Sequence, residues 1–257
     1  ERRDGRLNPF PWLIASNRPG PGPRRFFIGA GDRMATPSPG SLSAIPNFNP
    51  RTVPVLPEPH PLPPVPDEQL TAAALRARFA HPPAWTPEVL REKRFADRRP
   101  TPAAVLMPII VREGGPTLLL TERTQHLSTH SGQVAFPGGK IDAEDASAEA
   151  AALREAHEEV GLLPALAEVI GRLPEYVTGT QFHITPVAAL VQPDPLRLAP
   201  NPGEVARVFE VPLAFLMNPA HHQRHRLEFA GTWREWFSMP YRDPRDGHEH
   251  FIWGATA

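Results

Sequence analysis

From Gln133 to Leu162 the chain passes from a short apolar run, through two adjacent glycines, into a segment with helical periodicity. The run is Gln133-Val134-Ala135-Phe136, and Gly138 and Gly139 follow Pro137. The helical pattern covers Ala146 to Val160. This order calls for a strand, a close glycine loop and a helix with separate polar and apolar faces. Asp145 is placed to cap the helix start, and Gly161 to end it in the left-handed conformation. Leu153, Ala156 and Val160 share one arc and can pack into a core. Glu155, Glu158 and Glu159 stand at i, i+3 and i+4, so they are surface neighbours aimed towards one point. A solvated Glu-rich face is one reading of this cluster. The other is a metal platform, because crowded carboxylates repel unless a positive charge sits among them. Hard divalent cations take oxygen ligands, often one or two carboxylates plus substrate phosphates. The glycines, which let the backbone approach a ligand closely, favour the second reading.

Elsewhere the pattern mixes strands with few helices. Strands are expected at Ala103 to Val111, Thr117 to Arg123, Glu168 to Pro174, Ile184 to Val191 and Val205 to Val211. Gly114-Gly115-Pro116 turns the first pair into a hairpin. Arg234 to Tyr241 and Glu249 to Trp253 read as a closing hairpin, and Leu213 to Met217 as a short helix. Residues 67–94 form a helical lead-in, with one helix from Asp67 to near Pro82 and another from Pro87 to Arg94. The fold class is α+β, an α/β/α sandwich around a mixed sheet.

The first 66 residues differ, holding sixteen of the chain's 35 prolines without periodicity. Such a segment buries too little apolar surface to offset ordering entropy, so residues 1–66 are expected to be disordered. Residue 1 is Glu and the first methionine is Met34, which fits a true start at Met34. Net charge is −1, with no basic stripe for nucleic acid. The chain has no cysteine, which excludes disulfides and zinc–thiolate sites and fits a cytoplasmic protein. No apolar run approaches the length needed to cross a bilayer.

Gly139-Lys140, Asp145 and Arg154-Glu155-Ala156-His157-Glu158-Glu159-Val160-Gly161-Leu162 resemble the Nudix hydrolase box, Gly-x5-Glu-x7-Arg-Glu-U-x-Glu-Glu-x-Gly-U, where U is bulky and apolar. Asp145 replaces the first Glu, and the spacing to Arg154 is one residue longer. Both departures resemble the coenzyme A pyrophosphatase branch, whose box carries GGK-x-D-x-x-D. Its upstream motif also looks similar to Leu119-Leu120-Thr121-Glu122-Arg123-Thr124, Gly132 and Phe136 to Gly139, although Thr124 replaces Ser or Ala and Ser128 replaces a basic residue. The resemblance covers roughly residues 95–257. It implies hydrolysis of coenzyme A or acyl-CoA to 3′,5′-ADP and (acyl-)4′-phosphopantetheine with Mg²⁺ or Mn²⁺, by a monomer or homodimer. ADP-ribose, NADH and a non-catalytic nucleotide sensor are the alternatives. In the family a C-terminal helix usually follows the segment that here ends at Ala257, so a fragment or a truncated protein is expected.

The resemblance also implies site roles. Glu155, Glu159 and Glu158 would hold metal together with the Gly138 carbonyl, and Arg154 would orient the carboxylates. Glu155, Glu158, Arg154 and the late loop residue Glu204 form the expected catalytic set. Glu204 is either an extra ligand or base, or an ordinary loop carboxylate. Arg123, His130, Gly139 and Lys140 are the expected substrate contacts. Arg123 is otherwise an edge-strand charge, and His130 an idle loop histidine. His221, His222 and His225 read as a solvated loop rather than a metal site, and Trp233, Trp236 and Trp253 as core.

Overall fold

The structure is a computed structural model; it describes residues 48–57, 62–84, 99–124, 132–229 and 231–257. Its centre is a mixed sheet built on β2 (Thr101–Ile110) and β8 (Phe182–Val191), which run parallel over ten paired positions. Parallel strands need a long crossover connection, and α2 (Ala148–Val160) lies within it. β3 (Thr117–Arg123) pairs antiparallel with the end of β2, as the glycine turn requires. β4 (Val134–Ala135) and β9 (Val205–Pro212) both pair antiparallel with β3. β5 (Gly138–Lys140) pairs with β2, while β6 (Ala167–Arg172) and β7 (Tyr176–Val177) pair with β8. The glycine segment is thus itself a short strand, anchored to the central β2 rather than looping free.

Side-chain alternation gives this sheet two buried faces. On one, Leu106, Ile110, Leu119, Val187 and Val191 meet Ala151, Ala152, Ala156 and Val160 of α2. The small alanines let the helix lie close to the sheet. On the other, Leu118, Leu120 and Phe209 meet Leu70, which precedes α1 (Ala72–Ala80), and Leu213 and Leu216 of α3 (Leu213–Leu216). Met239, Tyr241 and Ile252 of a second sheet join them. That four-stranded antiparallel sheet has the order β1 (Val55–Leu56), β10 (Gln223–Phe229), β11 (Thr232–Arg242), β12 (Glu249–Trp253). The expected α+β sandwich is the observed fold.

Three expectations need correction. The N-cap of α2 is Ser147, whose hydroxyl accepts from the Ala150 N–H, because Asp145 is held by Arg154. His225, expected in a solvated loop with His221 and His222, is buried in a strand that spans Gln223–Phe229. Ordered structure also begins well before residue 67: Pro50–Thr52 form a 3₁₀ turn, and β1 pairs with β10. The expected helix at Pro87 to Arg94 lies outside the described residues.

The early segment does structural work that its proline content hides. The Val53 carbonyl lies 2.9 Å from Nδ1 of buried His225, and Phe48 meets the Trp236 ring edge-on at 5.9 Å. A chain beginning at Leu62 leaves His225 without that partner, at a cost of about 1–3 kcal/mol. Its melting temperature is expected to fall by several degrees relative to a chain beginning at Phe48. Equal melting temperatures would show β1 to be passive.

A second effect concerns pH. Both Glu149 oxygens accept from the Arg172 guanidinium, which holds the Glu149 carboxyl down at about 2. The stabilisation is complete above the ordinary carboxylate value of about 4.3 and is lost as pH falls towards 2. Glu149→Gln should therefore cost up to about 1 kcal/mol at pH 7, since the pair is partly exposed and screened, and much less near pH 2, where the carboxyl is about half protonated. Urea unfolding at both pH values checks this, and an equal difference at both would exclude the pair as its source.

Candidate functional site

α2 is short of β-branched residues, is capped at Ser147 and ends at Gly161 with φ 72°. Its polar side faces β5. A Cβ at Gly139 would overlap the Glu155 carboxylate, so this carboxylate rests directly on the glycine backbone. Glu159 follows one turn later, 4 % exposed, its Oε2 accepting from the Gly138 N–H at 3.2 Å. Arg123, at the end of β3, reaches Glu159 Oε1 at 3.7 Å.

Arg154 organises the other side. It donates to both oxygens of Asp145 at 3.0 and 2.8 Å, to Glu155 Oε1 at 2.9 Å and to the Lys140 carbonyl at 3.2 Å. Its bond to Glu158 is 3.3 Å long. A guanidinium offers five donors in a fixed fork, and here that fork is spent on holding carboxylates rather than left for a ligand.

Glu204 sits in the 201–204 turn, which several backbone bonds fix. Thr124 N–H donates to the Glu204 carbonyl at 3.0 Å, Asn201 N–H to the Glu159 carbonyl at 2.9 Å, and Glu204 N–H to the Asn201 carbonyl at 3.1 Å. The turn therefore joins the end of β3 to the C-terminus of α2. The Glu204 charge is felt by both Glu155 and Glu159.

The electrostatics follow from this crowding. Burial, helped by Glu204 and Glu155, pushes the Glu159 carboxyl up to about 7, although the Gly138 N–H and Arg123 pull it down. Burial also raises Glu155, against the hydrogen bond from Arg154. These are oxygen donors held together despite mutual repulsion and desolvation, with Arg123 as a longer-range counter-charge. Such a set fits a hard divalent cation.

The structure therefore brings Glu155, Glu159, Gly138, Gly139, Arg154, Arg123 and Glu204 to one place. Two expected members differ. Glu158 does not converge with the other helix glutamates; it turns to Arg154 and remains 57 % exposed. Lys140 contributes its carbonyl to Arg154, and the residue is exposed. His130 and Ser128 lie outside the described residues. His221 and His222 bond the Phe215 and Leu216 carbonyls, and His225 is buried in β10, so these three do not form the expected solvated loop. Trp236 is core, but Trp233 is exposed beneath Arg226. Asp145, at the position of the box's first Glu, is the bidentate partner of Arg154 and does not cap the helix.

A strand–glycine–helix unit with an arginine-anchored acidic cluster describes a phosphate-handling Nudix arrangement, and the Nudix domain family model matches residues 100–229. The chain belongs to the Nudix family. It is 43% identical over 159 residues to an uncharacterized Nudix hydrolase NudL of Enterobacter sp. (strain 638), covering 60% of this chain and 77% of that protein. It is 44% identical over the same length and coverage to the NudL of Escherichia coli (strain K12). Among solved structures it is similar to a Nudix hydrolase from M. smegmatis, RenU, at 31% identity, over 44% of this chain and 70% of that one, with a TM-score of 0.35. Family membership rests on the family model and the NudL relatives. No helix among the described residues is long and apolar enough to cross a membrane.

Proposed function

We propose that the chain hydrolyses the diphosphate linkage of coenzyme A or an acyl-CoA, with Mg²⁺ or Mn²⁺, giving 3′,5′-ADP and (acyl-)4′-phosphopantetheine. The hydrolytic reading rests on the cluster of Glu155, Glu159 and Glu204 at the Gly138–Gly139 strand. The coenzyme A assignment is supported by the residues from Leu119 to Gly139 and by the Asp142 and Asp145 spacing in the box.

In this reading Glu155 and Glu159 would hold a divalent cation with the Gly138 carbonyl. Such a cation would supply charge to neutralise the diphosphate and would lower the pKa of a water. Arg154 keeps Glu155 against the glycine strand. Arg123 offers its guanidinium to a phosphate, a geometry suited to bidentate contact. Glu204 takes the proton of the attacking water. Glu158, being exposed, serves Arg154 rather than the cation.

Glu204→Gln is expected to lower kcat by about 10²–10⁴-fold with a much smaller rise in KM. If Glu204 served as a ligand alone, excess Mn²⁺ would restore much of the rate. Full activity under all metal conditions would return it to an ordinary loop carboxylate.

Ser128, where the branch has a basic residue, favours a second reading: another nucleoside diphosphate derivative such as ADP-ribose or NADH. A panel of coenzyme A, acetyl-CoA, ADP-ribose and NADH with Mg²⁺ or Mn²⁺ separates the two when products are identified by mass. Faster cleavage of ADP-ribose or NADH than of either coenzyme A substrate would overturn the first.

A further inference from the structure

Glu122, His248 and His250 meet on the sheet face opposite α2. Glu122 continues the series Leu118 and Leu120, which packs towards the second sheet, whereas Arg123 continues the series of Leu119 on the α2 side. His248 and His250 alternate with Glu249 and so share one side of β12 and the residue before it. His250 pairs with Tyr241 across the sheet and stacks on Phe209 with ring centroids 3.5 Å apart.

These rings lack ordinary partners. His250 is 1 % exposed, yet both its nitrogens are without a hydrogen bond among the described residues, as is the buried Nε2 of His248. Buried polar atoms are normally paired, so three such atoms in one place call for an explanation. Glu122 Oε2 lies 3.6 Å from His248 Nε2 and 3.6 Å from His250 Nδ1, and one ligand atom from each residue lies within 4.8 Å of the others. A separation of 3.6 Å is too long for a hydrogen bond. It is close to the spacing of two ligands on one ion: bonds of about 2.0–2.1 Å at the tetrahedral angle set ligand atoms about 3.3–3.4 Å apart.

We propose that Glu122, His248 and His250 form a second metal site, specific for Zn²⁺ or a similar borderline-soft divalent cation, that clamps β12 to β3. Two imidazoles and one carboxylate suit such ions, whereas Mg²⁺ prefers oxygen alone. A His–Glu hydrogen bond is the simpler alternative, but both His–Glu122 separations of 3.6 Å are too long for one and leave both His250 nitrogens unpaired among the described residues. The neighbouring cation Arg207 is engaged by Asp246, and Asp243 by Arg245, so the local positive charge is largely compensated. Glu122 and His248 are partly exposed, which leaves a path for entry and a coordination position for water or another donor.

The test uses the full chain, stripped with a chelator and titrated with Zn²⁺ against a chromogenic competitor in millimolar Mg²⁺. One Zn²⁺ per chain is expected to bind tightly and to raise the melting temperature. His248→Gln and Glu122→Gln, at the partly exposed positions, should weaken it by more than a hundredfold while keeping the parent circular dichroism. His250→Gln is avoided as the primary test because its ring is packed in the core. Co²⁺ in place of Zn²⁺ should give visible bands that His248→Gln removes. The proposal fails if no Zn²⁺ equivalent binds or if that equivalent survives both substitutions. It also fails if Glu155→Gln, rather than His248→Gln, removes the bound Zn²⁺, since that would place the ion among the box carboxylates.

Discussion

Glu159→Gln is expected to reduce turnover on the order of a thousandfold while leaving the chelator-treated protein at least as stable as the parent. The rate effect follows from losing a charged oxygen donor: several kcal/mol of transition-state stabilisation are at stake, and each 1.36 kcal/mol is about tenfold in rate. The stability effect has the opposite sign. Glu159 is buried beside Glu155 and Glu204, so without a cation its charge is unfavourable, and an amide of the same shape relieves that. The Gly138 N–H still finds an acceptor in the glutamine carbonyl. Steady-state rates at saturating Mg²⁺ and thermal melts in chelator test both halves. Near-parental activity at saturating Mg²⁺ would remove Glu159 from the metal set. A sharply lower melting temperature in chelator would make it a structural residue.

The second large effect is Gly139→Ala. The added methyl would overlap the Glu155 carboxylate, which must then leave its place between the glycine strand and Arg154. A misplacement of about 1 Å at reacting groups can cost about 10²-fold, and a loss of that order in kcat/KM is expected with little change in melting temperature. Gly138→Ala should behave differently. Its Cβ would lie 2.5 Å from the Ala104 carbonyl oxygen and 2.7 Å from the Val105 Cα, both backbone atoms of β2. That clash falls on strand pairing, so stability should drop first. Gly114→Ala, whose methyl would meet nothing within 4 Å, is the control. If Gly139→Ala matched Gly114→Ala in activity, the carboxylate would not need its seat on the glycine backbone.

Much of this arrangement was legible in the residues because several local signals agreed. Apolar runs marked β2, β3, β8 and β9; the periodic alanines, Val160 and Gly161 marked α2 and its end. Where signals competed, the sequence reading failed. Asp145 is a good capping residue, but a bidentate arginine nine positions away binds it more strongly, and the helix begins later at Ser147. Equal helical spacing made three glutamates look equivalent, whereas the glycine strand can accept only those on its own side, leaving Glu158 to solvent. β1 and β10 were invisible because prolines masked one and alternating charge the other. Glu122 and the two β12-side histidines lie 126 and 128 residues apart along the chain (248 − 122 and 250 − 122), and nothing local announces that two sheets bring them together.

The bonds that tie the 201–204 turn to α2 carry a mechanical consequence. Asn201 N–H and Ala199 N–H take the carbonyls of Glu159 and Val160, which a helix end would otherwise leave to water. The segment bearing Glu204 is therefore a continuation of the helix terminus rather than a flap over it. It cannot swing aside without unpinning the last turn that carries Glu159. Glu155, Glu159 and Glu204 are therefore coupled through the backbone and would move together rather than separately.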